Sequence, residues 1–402
     1  MPYQPTLNFK TSNGTDLGNL GWITKDYLMS VYPQISNQLI TPELWVWGTN
    51  TYANLGTNNT ITISTPVTTF SGGANWKQVA CGSYCTIAIK TDGTLWAWGA
   101  GTYLGNNTSN ASSTPVTTFA GGNNWKQVAC GGFHIAAIKT DGTLWSWGSN
   151  AQQQMGNNAS GSPLTPVTTF AGGTNWKQVA CGYYHTCAIK TDGTLWGWGV
   201  NNFAQLGTND TIVRSTPVTT FAGGTNWKQV SCPTYATLAI KNDGTLWGWG
   251  YNLGTVLTSA IGSVVSTPVT IFNGGSGWKQ VASSGSTARA IKTDGTLWGW
   301  GNNYGSLGDN TTNTRVTPVT TFAGGTNWKQ VSCGYQGTVA IKTDGTLWTM
   351  GTNFGQLGTN DGVTRLTPVT TFLGGVDWKS VSINGTGINN RMFAAIQSAN
   401  YI

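Results

Sequence analysis

The chain has 402 residues, of which only 8% are charged; it carries 56 glycines, 21 tryptophans, 13 tyrosines and 12 phenylalanines, with a net charge of +7. So many aromatic residues demand a large buried core, which excludes a disordered chain despite the abundance of small polar residues. No apolar run approaches the ~18 residues of a membrane span, and the N-terminal MPYQPTLNFKTSNG lacks a basic-then-apolar leader, so neither membrane insertion nor a signal peptide is expected.

In chain order, residues 1–40 come first and lie outside any repeat. Thr24 is placed to cap a short helix running to Tyr32, which Pro33 stops. Trp22, Tyr27, Leu28 and Val31 then form an apolar stripe, read as an attachment arm; a strap on the chain's own repeat domain is the alternative.

Residues 41–402 are repetitive. Trp76, Trp125, Trp176, Trp227, Trp278, Trp328 and Trp378, each followed by Lys, recur at intervals of 49 to 51 residues, a period typical of propellers and solenoids. The unit beginning at Trp176 contains four short strand candidates: WKQVA, TCAIK, TLWGW and PVTTF. Asp192-Gly193 separates the second from the third and predicts a two-residue hairpin with positive φ at both residues. DGTLW occurs six times, while a seventh LWVWG, Leu44–Gly48, lacks its Asp-Gly. The repeats thus open on a third strand and close on a second. The predicted fold is an all-β, seven-bladed propeller of four-stranded antiparallel blades, closed by a composite blade from both termini.

Twenty of the tryptophans fall at repeat positions, with Met350 replacing the missing one. Burying a tryptophan is worth at most ~4–6 kcal/mol before entropy, which favours blade-to-blade packing over a ligand box.

Thirteen of the twenty Lys and Arg are repeat lysines spread along the chain, not a contiguous basic patch, so no nucleic-acid partner is expected. Cys81, Cys130, Cys181, Cys232 and Cys333 share one repeat position that Ser283 fills elsewhere, which reads as a small buried residue. Cys85 and Cys187 lack zinc-ligand spacing, and no metal or cofactor is expected. His134 and His185 occupy a position taken by Cys85, Ala236, Thr287 and Gly337 in sister units, which suggests packing or a local hydrogen bond. Six of the thirteen acids belong to Asp-Gly turns and the rest are scattered, so no catalytic set emerges and a non-enzymatic protein is expected.

Strand alternation sorts the connections onto two faces. Asp-Gly turns and fourth-to-first connections emerge on one face, which is nearly uniform. First-to-second and third-to-fourth connections emerge on the other, which varies from unit to unit. The varied face carries Tyr52, Tyr84, Tyr103, Phe133, Tyr184, Phe203, Tyr235, Tyr304 and Phe354, read as candidate partner-binding residues on a rigid scaffold.

Trp198-Gly199, Asn201, Gln205-Leu206-Gly207 and Cys181-Gly182-Tyr183-Tyr184-His185-Thr186 together resemble the repeat of the regulator of chromosome condensation family. The likeness runs from Leu44 to Gln397 and implies a seven-bladed propeller. The family includes chromatin-binding nucleotide-exchange factors and secreted inhibitors of β-lactamase. The exchange factor's inserted hairpin has no counterpart in repeats of this length, and only Lys10 and Lys25 precede Leu44, so exchange activity is not carried over. A weakly charged Thr-, Asn- and Gly-rich surface without an export signal is instead read as that of a virus particle protein. It would belong to a bacteriophage tail or capsid, assembled in the host cytoplasm and exposed outside the cell. The arm would join other virion subunits, and the varied face would grip a host-surface protein or glycan. The alternative is a protein-binding regulator or inhibitor, secreted or intracellular, and a lectin is a third reading.

Overall fold

The computed structural model describes residues 42–70, 73–257, 262–271, 275–322, 324–383 and 391–398. Its strands form seven separate four-stranded antiparallel sheets. In the third blade these are Trp176–Cys181, His185–Lys190, Leu195–Gly199 and Arg214–Thr219, in that spatial order. Blades are numbered here from the one beginning at Trp76, so that the composite blade is the seventh. There Pro42–Gly48 pairs with Met392–Ser398 over seven residues, from Pro42 opposite Ser398 to Gly48 opposite Met392. The seventh LWVWG lacks Asp-Gly because its strand pairs with one from the far end of the repeat series, so no hairpin joins the two.

The first strands line the ring's interior, and a side-chain amide ties one to the next at five junctions, while between blades 6 and 7 Ser332 Oγ accepts from Ile383 N at 3.1 Å. Gln178 Nε2 donates to Val230 O at 3.2 Å, while Val230 N donates back to Gln178 Oε1 at 3.1 Å. Gln78, Gln127, Gln229 and Gln280 do the same across their own junctions. At the closing junction Ser380 replaces the glutamine, and Ser382 Oγ accepts from Cys81 N at 3.1 Å instead.

Farther out, tryptophan locks five of the blades to the preceding one. The second indole of LWGWG is fully buried, and Trp198 Nε1 donates to the carbonyl of Gln154 in the third-to-fourth connection of blade 2. Thr186 Oγ1 donates to the same carbonyl at 2.7 Å. Two residues on, Gly156 lies so close to Trp198 that a Cβ would come within 2.6 Å of the ring. Trp98, Trp147, Trp249 and Trp300 repeat the indole bond with Asn54, Tyr103, Gln205 and Val256. The Q-L-G phrase is therefore the socket for the next blade's tryptophan.

The opposite end is held by the residues of DGTLW. Asp192 Oδ1 accepts from both the N–H and the hydroxyl of Thr194, and Trp196 Nε1 donates to that hydroxyl at 2.8 Å. Lys190 Nζ lies 4.8 Å from the Trp176 ring and 4.4 Å from Trp196, a double cation–π contact. The turn differs from the two-residue hairpin expected. Gly193 N donates to Lys190 O and Lys190 N to Thr194 O, so Thr191, Asp192 and Gly193 form a three-residue loop. Gly193 has φ +82°, but Asp192 keeps negative φ. This is a type I turn followed by a glycine bulge, and the aspartate's bonds to Thr194 favour that geometry.

His134 and His185 also join blades. Both are buried, with Nε2 set 2.7 Å from Thr186 Oγ1 and 3.2 Å from Thr237 Oγ1 respectively. Burial pulls their pKa values down to about 3 and about 4, so both are neutral at neutral pH.

Three outcomes follow from these contacts. In Gly193→Val a Cβ would meet Thr225 O at 2.0 Å on a backbone at positive φ. The expected loss is more than ~2 kcal/mol by denaturant unfolding, and a loss under ~0.5 kcal/mol would refute the turn assignment. A chain ending at Gly375 loses both inner strands of the composite blade and should aggregate or unfold without cooperativity; a monomer with unchanged melting temperature would refute closure. Finally, below pH 6.5 the unfolded chain protonates imidazoles that the folded chain keeps neutral. Stability should therefore fall from pH 6.5 toward pH 4, by up to ~1.4 kcal/mol per pH unit for each histidine. The double His134→Gln, His185→Gln variant should flatten that slope. The turn aspartates, held below 3.8 by their bonds to threonine, act only at more acidic pH.

Candidate partner-binding face

The varied connections are less free than their sequences suggest. Six of the seven fold around a buried asparagine from the W-G-x-N phrase, and Gly101 takes its place in blade 1. Asn201 Nδ2 donates to Asp210 O at 2.9 Å, and its Oδ1 accepts from Leu206 N at 2.9 Å. Asn50, Asn150, Asn303 and Asn353 do the same in their loops. Ion pairs Arg214–Asp210, Arg315–Asp309 and Arg365–Asp361 close three of the loops and cancel their own charge. The loop bases are thus fixed, and the face they carry is pre-organised.

On that face most of the expected aromatic residues meet. Tyr52 packs edge-on to Tyr84 with centroids 4.8 Å apart, and Tyr84 contacts Tyr103 at 5.5 Å and Phe133 at 5.4 Å. Phe133 stacks on Tyr184 at 5.2 Å and touches Tyr183 at 5.1 Å. Tyr183 reaches Tyr235 at 6.4 Å, Tyr235 meets Phe203 at 5.1 Å, and Phe203 meets Tyr251 at 5.0 Å. Nine rings therefore form one connected arc from blade 7 through blades 1 to 4. Tyr52 is exposed, and the other eight are partly buried, each ring covering part of its neighbour.

Blade 5 breaks the arc, because Gly285 and Ser286 stand where the other blades place an aromatic. Beyond the gap Tyr304 stacks near Tyr335 at 6.0 Å. Phe354 is not joined to the arc; the Arg391 guanidinium lies 4.2 Å from its ring and also donates to Gln336 Oε1 at 2.7 Å. Sequence reading missed Tyr183, Tyr251, Tyr335 and Arg391. Tyr183 precedes Tyr184 in the same connection, and Tyr251 directly follows a WGWG, so the face assignment would have found both.

The chemistry this face offers is apolar contact and hydrogen bonding. Burial raises the pKa of Tyr84, Tyr103, Tyr183, Tyr184 and Tyr335, with neighbouring tyrosines adding to the effect at most of them. Their hydroxyls stay protonated at neutral pH and can donate and accept hydrogen bonds. The two histidines lie beneath, buried and neutral, out of reach of a substrate. His185, Cys187 and Cys232 bring three ligand-type atoms within 4.8 Å of one another. The Thr237 hydroxyl already bonds His185 and lies 3.7 Å from Cys187 Sγ, and burial pushes the Cys232 thiol well above its ordinary value. That cluster reads as packing between blades. The arm residues Trp22, Tyr27, Leu28 and Val31 lie outside the described residues.

The family model of the RCC1-like domain matches residues 39–275 and 120–387. The ultraviolet-B receptor UVR8 of Arabidopsis thaliana is 30% identical over 281 residues, which cover 66% of this chain and 50% of that protein. The chain thus spans about half the length of that relative. Human WBSCR16 superposes with a TM-score of 0.77 at 20% identity, covering 90% of this chain and 100% of that one. Prp20p from Saccharomyces cerevisiae gives 0.74 at 16% identity, covering 90% and 92%. At those identities the two structures speak to the fold alone.

These relatives are proteins of plant, human and yeast, and they overturn the virus-particle expectation. The expectations of a bacteriophage tail or capsid, of virion-subunit partners, of host attachment through a surface protein or glycan, and of a virion location do not hold. The composition that prompted them has a structural cause. Asparagines staple loops, threonines bond turn aspartates, and glycines occupy positive φ or press against tryptophan, so a Thr-, Asn- and Gly-rich chain is what this repeat requires. With its seven blades and both spans of the match in place, the chain belongs to the RCC1-like domain family.

Proposed function

We propose that the chain is a protein-binding regulator propeller that receives its partner on the aromatic arc and performs no bond-making chemistry of its own. The observation that carries this reading is the arc itself: nine contacting rings on one rigid face, interrupted at one blade, which gives a sevenfold scaffold a single asymmetric surface. Aromatic side chains, and tyrosine in particular, supply large contact area at low entropic cost together with a polar tip. A partner protein with complementary apolar and hydrogen-bonding groups fits that surface better than a small substrate does. Relatives support the class: one is named a receptor, and the structure of Prp20p is described together with its binding to Gsp1p and histones. Residues 1–40, with Trp22, Tyr27, Leu28 and Val31, form a separate segment in this reading, dispensable for the fold of 41–402.

The test uses the full chain as bait against extract from its source, with mass spectrometry of retained proteins. A stoichiometric partner should be held by the parent protein and by a variant lacking residues 1–40. It should be lost in the combined Tyr84→Ala, Tyr184→Ala, Phe203→Ala and Tyr235→Ala variant. Anchors of this kind cost ~2 kcal/mol or more each when truncated. Equal retention by the aromatic variant, or a variant that loses only melting temperature, would reduce the arc to a cover over the blade ends.

A further inference from the structure

The opposite face carries a second pattern. The second residue after each fourth strand is a phenylalanine, at the start of the connection to the next blade. Phe70, Phe119, Phe170, Phe221, Phe322 and Phe372 are all 62–68% exposed. The seventh equivalent, Phe272, lies outside the described residues. Leu373 and Val376, 45% and 48% exposed, extend the series on one connection. An isolated exposed phenylalanine needs no explanation, but the same one on six blades is a repeated feature of the surface.

Charge follows the same face. Lys77, Lys126, Lys177, Lys228, Lys279, Lys329 and Lys379 are all exposed at the entry of the first strands. Among the described residues only Lys379 of these is ion-paired, with Asp377 at 3.7 Å. The six lysines held over tryptophan pairs and the six turn aspartates lie at this end too. Thirteen lysines against seven aspartates and Glu43, which opens the third strand of the composite blade, leave the face with a surplus of five positive charges, compared with +7 for the whole chain. The varied face, by contrast, pairs most of its charges internally.

From this geometry we infer that the uniform face is a docking surface for an anionic lipid bilayer. A ring that offers the same phenylalanine and lysine at every blade suits a target without lateral structure, since each blade then makes the same contact. A bilayer is such a target, and its anionic headgroups attract the lysines while phenylalanines enter the headgroup boundary. Duplex nucleic acid is a narrow rod that cannot meet the whole ring, and its phosphates have no use for exposed phenylalanine. A second copy stacked face to face would oppose two positively charged surfaces. The inference is independent of the partner arc, which looks the other way and stays free when this face is docked.

The experiment is co-sedimentation of the full chain with vesicles of phosphatidylcholine alone and of phosphatidylcholine mixed with phosphatidylserine. Binding is expected only to the mixed vesicles and should weaken as salt rises. Phe119→Ser, Phe170→Ser and Phe221→Ser combined should lower the partition coefficient about tenfold or more without lowering the melting temperature, because these side chains are exposed. Lys126→Gln, Lys177→Gln and Lys228→Gln combined should weaken binding and flatten its salt dependence. The Tyr84→Ala, Tyr184→Ala pair should leave vesicle binding unchanged, which separates this surface from the arc. Absence of binding to mixed vesicles overturns the inference. So does binding indifferent to the phenylalanine substitutions, or retention on duplex DNA with no retention on vesicles.

Discussion

Five of the seven blades depend on one contact, an indole N–H donating to the backbone carbonyl of the preceding blade's loop. The bond is short, buried and shared with a threonine hydroxyl, and a glycine two residues along lets the loop lie against the ring. A buried N–H without a partner is costly, so the loop must return to the same place in each repeat whatever its tip contains. That requirement explains why six of the seven loops keep the base asparagine and six keep Leu-Gly or Met-Gly at the socket while their outer residues diverge. Departures show how the contact adapts. In blade 6 Met350 replaces the indole, needs no acceptor, and sits with its sulfur where a Cβ on Gly308 would fall, while Thr338 still donates to Ser306 O.

The same economy governs charge. A lysine between two indoles is satisfied by their π faces, and the aspartate of the next turn is satisfied by a threonine that also serves an indole. Six lysines and six aspartates are thereby fixed by local repeat chemistry. Arg289 is the exception: it is buried between blades 5 and 6, its Nη1 donates to Ala288 O, and burial lowers its pKa to about 10. Sister blades place Ile87, Ala136, Leu238 or Val339 there. Blade 5 is also where the aromatic arc stops, so one repeat departs from the consensus both inside and at its surface.

The ring, its strand order and its closure were legible because each rests on a pattern repeated along the chain: the Trp-Lys period, the alternation within strands, and an LWVWG without its turn. Legibility failed where one residue type serves two geometries. Asp-Gly suits both a two-residue hairpin and a type I turn with a glycine bulge, and the choice was made by the threonine beside it, whose two bonds to Asp192 hold that residue at negative φ. The aromatic residues of the varied face could be assigned to that face, yet their joining into an arc depends on how neighbouring blades lean together. The virus-particle reading failed for a related reason: composition was taken as a property of the surface when most of it is spent on loop staples and turns.

Sevenfold repetition sets what each face can do. A contact made identically by every blade can add up only on a target that looks the same to each of them, so the uniform face suits broad adhesion rather than discrimination. Discrimination needs blades that differ, and the cheapest place to differ is beyond the socket that holds the tryptophan, where substitution leaves the ring's bonds untouched. The arc from Tyr52 to Tyr251, broken at Gly285 and Ser286, lies in that permitted zone. Variation between blades is thus confined to one face by the same contact that holds the blades together.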